Sequence, residues 1–488
     1  MSRIASDVRG GIDAVDAVVV GSGPNGLAAA ISLAGEGHSV AVLEAAATIG
    51  GGVRSAELTL PGFIHDVCST IYPFGRISPF FATLGLERHG LRWIEPPYSV
   101  GHPLDDGTAV LVERDVAATA AGLGDDAAAY RRLFDPLVGG WGSLQEDLLA
   151  PFHVPLWPPR AVRLARFGWP AIQSTIALAR RFGGTRARAL LAGAGAHSIL
   201  SLTEPVSAAA ALVMLSTAHV DGWPLPAGGA RALSDALASE LVARGGAIET
   251  GRPITSMADL PAHRVALFDT APSALVSIAG DRLSGGYRRR VERYRRGPGV
   301  FKVDLALDGL IPWRAEGLDR AGTVHLGGTL EEIARSEAAV AAGRRPERPF
   351  VLLAQTSCFD PSRAPAGQHT AWAYCHVPNG STDDVTEAIL GQIERFAPGI
   401  RDRILATTAT SPAELEAYNP NNLGGDIAGG RQDLRQLFTR PSLRLFDPYS
   451  TPDPALFLCS ASTPPGGGVH GMAGWHAARS ARGRLRTA

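Results

Sequence analysis

Three glycines and one carboxylate carry the most specific chemistry in this chain. Gly21, Gly23 and Gly26 lie in AVVVGSGPNGLAAAISLAGEGHSVAVLEA, residues 17–45, and Glu44 stands near its end. At this spacing the first glycine allows a tight turn. The second lets the backbone approach a pyrophosphate, and the third lets a helix pack on a strand. Pro24 and Asn25 share that loop and join the binding candidates. The helix that follows points free N–H groups at phosphates. A carboxylate ending the next strand accepts hydrogen bonds from ribose hydroxyls and repels a 2′-phosphate. These residues predict a dinucleotide site that disfavours NADP.

The elements that position them are readable from composition. Residues 17–20 form a β-branched run, read as a buried parallel strand. LAAAISLAGEG reads as a helix stopped by Gly35 and Gly37, and SVAVLEA as a second strand. ATIGGGVRS, residues 47–55, then offers another glycine loop, with Gly51 and Gly52 able to approach a ligand and Arg54 as counter-charge. A simple NAD dehydrogenase has no need of it. AGAGAHS, residues 192–198, imitates a fingerprint but follows helix-like sequence, and reads as small residues at a helix crossing or turn.

The expected architecture is α/β. A Rossmann-like domain is built from three segments, residues 15–75, 221–280 and 441–488. A substrate domain with a mostly antiparallel sheet and a helical lid is interleaved at 76–220 and 281–440. Within it YSVGHPLDDGTAVLVE reads as a hairpin turning at Asp106-Gly107. GVFKVDLAL and TAWAYCHV alternate as strands. His65-Asp66 reads as a loop brace, and Trp372, Tyr374 and His376 as core or pocket wall.

With 45% hydrophobic and 19% charged residues the composition is that of an ordinary globular chain. A formal net charge of -1 gives no reason to expect nucleic acid. Cys68, Cys358, Cys375 and Cys459 form no CxxC and no metal spacing, which predicts a reducing compartment and no bound metal. MSRIASDVRGGIDAV lacks the apolar core of a signal peptide, and no run of about 18 apolar residues occurs. A cytoplasmic protein is expected.

The two glycine loops, together with STPPGGGVHGMAG at residues 462–474, resemble the phytoene desaturase branch of the FAD-dependent amine oxidase superfamily. LTLPGFIHDVCS, GPGVFKVDLALDG, DPSRAPAGQHTAWAYCHVP and YNPNNLGGDIAGG extend the likeness over nearly the whole chain. The resemblance implies FAD, with the third glycine loop carrying backbone N–H groups to the flavin end. Gly467, Gly468, Val469 and Met472 match that loop. His470 stands where many phytoene desaturases have proline, and is read as a hydrogen-bond donor or proton carrier, or as a plain turn residue. Lys302, the only lysine, is similar to the lysine that amine oxidases present to the flavin through a water. The alternative for Lys302 is pairing with Asp304.

The resemblance further implies oxidation at carbon: desaturation, saturation or isomerisation of an apolar, isoprenoid-like substrate, with O2 or a quinone as electron acceptor. Amine (C–N) oxidation is the second reading, carried by Lys302. A flavin-stabilised interaction protein with little turnover is the third. Tyr418, Asn422 and Asp426 are expected at the substrate pocket. Residues 151–184 mix Phe152, Trp157, Phe167 and Trp169 with five arginines, which suggests peripheral membrane contact or, alternatively, a helical lid.

Overall fold

A computed structural model describes residues 14–153, 158–442 and 444–486. The N-terminal residues 1–13 and Trp157 of the proposed membrane segment lie outside the described residues.

Five parallel strands make the first sheet, in the order Leu456–Leu458, Ala262–Phe268, Ala14–Val20, Val40–Leu43, Ala247–Glu249. Its sequence runs are apolar without alternation because both faces are covered. Val19, Val42 and Leu267 face the helices Pro24–Ala34, Arg231–Ala243 and Met472–Arg486. Val18, Leu43, Phe268 and Leu458 face Pro272–Ala279 and Gly285–Glu292. The sheet therefore draws strands from three distant stretches of chain, and its carboxyl ends line up at one edge.

The second sheet has seven strands, ordered Ile404–Thr410, Gly299–Leu307, His369–Val377, Val351–Ala354, Ala321–Leu326, Tyr98–Pro103, Ala109–Val112. All its pairs are antiparallel except Ala321–Leu326 with Tyr98–Pro103. One face is apolar, with Phe301, Val303, Leu305, Leu353, Ala373 and Cys375 in one cluster with the helix Thr386–Phe396. The other carries Lys302, Asp304, Trp372, Tyr374 and His376 in register, Lys302 opposite Tyr374 and Asp304 opposite Trp372. That mixed face meets the helices Thr185–Ala196 and Ser207–Asp221.

Two small strand pairs tie the units together, Ser55–Glu57 with Ile64–Asp66 and Trp93–Ile94 with Leu225–Pro226. A buried ion pair adds to them. Asp66 takes the Arg363 guanidinium, Ser55 Oγ at 2.7 Å, Thr70 Oγ1 at 2.5 Å and the Ala230 N–H at 2.8 Å. So the His65-Asp66 brace expected from sequence exists, but its main partner lies far along the chain.

The C-terminal helix packs so closely that a Cβ on Gly474 would stand 1.8 Å from the Asn25 carbonyl oxygen. Gly474→Ala is expected to cost about 3 kcal/mol or more by overpacking, read by chemical denaturation. Gly142→Ala meets nothing within 4 Å in the helix Trp141–Leu148. It should leave stability unchanged or raise it by up to about 1 kcal/mol.

Candidate functional site

The site lies where the parallel strands end, the position at which open α/β sheets take their ligands. Gly21 follows the central strand with φ +99°, and its N–H bonds the Leu43 carbonyl at 2.8 Å. Gly23 caps the helix Pro24–Ala34 with Pro24 in the first turn. Gly26 has no room for a side chain, since a Cβ would lie 2.1 Å from the Gly21 carbonyl. The second loop touches the first, as a Cβ on Gly51 would come within 3.1 Å of Gly23 Cα. Gly52 sits over Cys68.

Glu44 is buried and holds these loops together. One carboxylate oxygen accepts from Ser22 N–H at 2.9 Å and Ser22 Oγ at 2.6 Å. The other accepts from Ala46 N–H at 2.9 Å and, at 3.5 Å, from Arg54. Arg54 donates to the carbonyls of Ile49 and Thr48 at 2.9 and 2.5 Å, and lies 5.4 Å from the Tyr418 ring centre. Both residues thus work on the protein backbone, a task the motif did not announce.

The third glycine loop closes the edge. Gly466 and Gly468 have φ +113° and +126°, and a Cβ on Gly467 would meet the Ala428 carbonyl at 3.1 Å. Gly468 and the half-buried Val469 approach Phe74 and Gly75. Met472 opens the last helix, and its N–H is taken by His470 Nδ1 at 3.0 Å. His470 is therefore a helix cap. Burial lowers its pKa to about 4, so the ring is neutral and its proton sits on Nε2. Arg440, which the sequence did not single out, ties Ala428 and Ala461 together by donating to both carbonyls at 3.1 Å.

Lys302 is buried, its Nζ 2.6 Å from Asp304 Oδ2 and 5.7 Å from the Trp372 ring centre. His65 Nδ1 stands 3.4 Å from the other Asp304 oxygen. The group borders the second glycine loop through Cys68. Burial raises that thiol to about 11, while Lys302 and Arg54 pull it back. Cys358 is raised to about 12 by burial, and Cys375 and Cys459 also move up. None is a thiolate at neutral pH, which agrees with the absence of CxxC.

The three expected pocket residues separate. Tyr418 lies beside Arg54. Asn422 shapes a turn, its carbonyl accepting from Gly425 N–H at 2.8 Å. Asp426 spends both oxygens on backbone, on Gly297 N–H at 2.8 Å and Ala428 N–H at 2.9 Å, so it fastens the loop. AGAGAHS is a helix end. Gly193 there makes room for two imidazoles, a Cβ meeting His325 Nδ1 at 2.7 Å and His102 Nδ1 at 3.1 Å. His197 completes the group, 3.0 Å from His325. Along the same wall Glu337 fixes His376 at 2.8 Å.

The cleft suits a dinucleotide on its own geometry. Two glycine loops meet where side chains would block a ligand, and Asn25 Oδ1 is buried without a partner at the helix N-terminus. Residues 19–84 match the family described as NAD(P)-binding Rossmann-like domain. The chain is 28% identical to pyridine nucleotide-disulfide oxidoreductase domain-containing protein 2 of Mus musculus, over 95% of this chain and 92% of that protein. It is 28% identical to phytoene dehydrogenase of Streptomyces griseus, over 86% and 82%. Cyclohexylamine oxidase from Brevibacterium oxydans shares the fold, with TM-score 0.61, 16% identity and coverage of 97% and 99%.

Taken with the oxidoreductase relatives, the Rossmann-like match supports an FAD-dependent oxidoreductase. The chain is similar to phytoene dehydrogenase over most of its length and to the mouse protein over nearly all of it.

Buried neutral imidazoles make an acid prediction. Burial lowers His102 and His476 to about 4 and His197 to about 3, as it lowers His470. The unfolded chain takes up these protons near pH 6.5, so the stability they confer is full above 6.5 and lost as pH falls toward 4. Denaturation midpoints should hold above pH 7 and drop below 6.5. His470→Asn, which keeps an acceptor for Met472, should flatten that drop by one proton. An unchanged slope would refute the burial of this ring.

Proposed function

We propose that this oxidoreductase acts on carbon–carbon bonds of an apolar, isoprenoid-like substrate, by desaturation, saturation or isomerisation. Gly21, Gly23, Pro24, Asn25, Gly26, Glu44, Gly51, Gly52 and Arg54 would hold the dinucleotide end of the cofactor. Gly467, Gly468, Val469 and Met472 would hold the flavin end. FAD, when bound, supplies the acceptor of hydride or electrons. The residues around it orient the substrate and exclude water.

One observation carries the reading. Ile71, Phe74, Val213 and Ile427 are only partly buried and pack against the apolar cluster to which Trp372 and Tyr374 of the mixed sheet belong. Such a lining suits hydrocarbon. The named chemistry of phytoene dehydrogenase, similar over most of the chain, supports it. Anaerobic bleaching of the flavin band by a polyene precursor, with no bleaching by alkylamines, is the expected result. Bleaching by amines alone would turn the assignment to C–N oxidation.

That second reading rests on Lys302, a buried cation beside Trp372. If Lys302 assists reoxidation by O2, Lys302→Met should slow it by about tenfold or more, within the range of a lost general acid or base. Stopped-flow reoxidation at the wild-type rate would remove Lys302 from the chemistry. O2 or a quinone is the proposed electron acceptor.

Peripheral contact with a membrane belongs to the same proposal, in a cytoplasmic protein. No helix among the described residues is long and apolar enough to cross a bilayer. The helix Pro158–Ala171 exposes Val162, Arg163, Arg166 and Trp169 on one side, and Ile172 follows it. Phe446, 71% exposed, packs on Phe152, which also meets Phe438. Apolar groups flanked by arginine suit an anionic lipid surface. Co-sedimentation with phosphatidylglycerol vesicles at low salt should fall to the background of neutral vesicles in Trp169→Ser/Phe446→Ser. Equal binding of the variant would sink the membrane reading.

A further inference from the structure

We propose that Asp269 couples FAD binding to the uptake of one proton, so that cofactor affinity is set by pH. Asp269 ends the strand Ala262–Phe268, beside the first glycine loop, and its N–H bonds the Val20 carbonyl at 2.8 Å. Its Oδ2 accepts the Gly26 N–H at 2.8 Å. That N–H is one of the free donors a helix N-terminus offers to phosphate. The same oxygen stands 2.5 Å from where a Cβ on Gly23 would be, and Gly23 is the glycine whose role is to admit the pyrophosphate. An ionised carboxylate there repels the two phosphate charges of the cofactor and offers them no donor. A protonated one keeps the Gly26 bond through one oxygen and donates its O–H to a phosphate oxygen.

The surroundings supply no counter-charge. Burial pushes the Asp269 carboxyl up to about 7, the Gly26 N–H works against this, and Glu44, at the end of the strand Val40–Leu43 two places away, pushes it further. The residue is half-buried, and water at its accessible edge tempers that shift. Cys459, at the end of the strand on the other side, is held protonated by burial. Asn421 faces the next turn, where its Oδ1 accepts from Ala271 N–H. No cation contributes to Asp269 among the described residues. The pyrophosphate of FAD keeps its charge across this range, so the titration belongs to the protein.

The test uses full-length apoprotein and FAD, with flavin fluorescence quenching giving Kd from pH 5.5 to 9. Wild-type Kd should be flat at low pH and rise above about 7 by up to tenfold per pH unit, the limit for one linked proton. Calorimetry at pH 8 in two buffers of different ionisation enthalpy should return close to one proton taken up per FAD. Asp269→Asn should bind FAD with no such slope and, at pH 8.5, about tenfold more tightly than wild type. Asp269→Ser, which is smaller and also neutral, should show the same flat profile. A flat wild-type profile, or an Asp269→Asn profile parallel to it, overturns the proposal while leaving FAD as cofactor. Apoprotein that binds FAD at no pH overturns the cofactor assignment as well.

Discussion

The approach of the helix Pro24–Ala34 to its neighbours is the constraint on which the site depends. Gly26 lies against the Gly21 carbonyl, and Gly474 of the last helix against the Asn25 carbonyl. These two backbone contacts fix where the helix N-terminus points, and every other part of the cleft is arranged around it. Glu44 and Arg54 then set the second loop against the first, and Arg440 sets the third against the loop at Ala428. Neither carboxylate nor guanidinium acts alone. Each satisfies several backbone groups that loops at a strand edge would otherwise leave unpaired.

The mixed sheet divides its two faces by chemistry. The apolar face supplies ordinary core. The other face pays a desolvation cost for burying Lys302, Asp304 and His376, and that cost is met by pairing: ammonium with carboxylate, imidazole with Glu337. Such a face is expensive to build for stability alone, which makes it a candidate wall of the proposed substrate site. Its position next to Cys68 and the second glycine loop joins it to the cofactor end of the molecule.

Much of this was legible in the sequence, and for identifiable reasons. The first fingerprint encodes its own geometry, because only glycine tolerates φ +99° at Gly21 and the contact at Gly26. Strand and helix types in the parallel sheet followed from apolar runs and glycine stops. The alternative offered for Lys302, pairing with Asp304, is what the structure contains. What escaped reading is partnership at long range. Asp66 was seen as a brace, but Arg363 could not be paired with it by spacing. Asp269 belongs to no recognisable motif, and the parallel register is what brings it beneath Gly23. The loop YNPNNLGGDIAGG shows a second limit. Its Asn and Asp content suggested a pocket, whereas Asp426 serves backbone N–H groups, which is the commoner use of such side chains in tight loops.

The cleft is assembled from strand ends that belong to the beginning, middle and end of the chain. A polypeptide emerging from the ribosome therefore makes its most recognisable motif first and completes the site last. Until the helix Met472–Arg486 has docked, the apolar flank of Pro24–Ala34 has no cover. Without that helix, the flank of Pro24–Ala34 that it covers would face water.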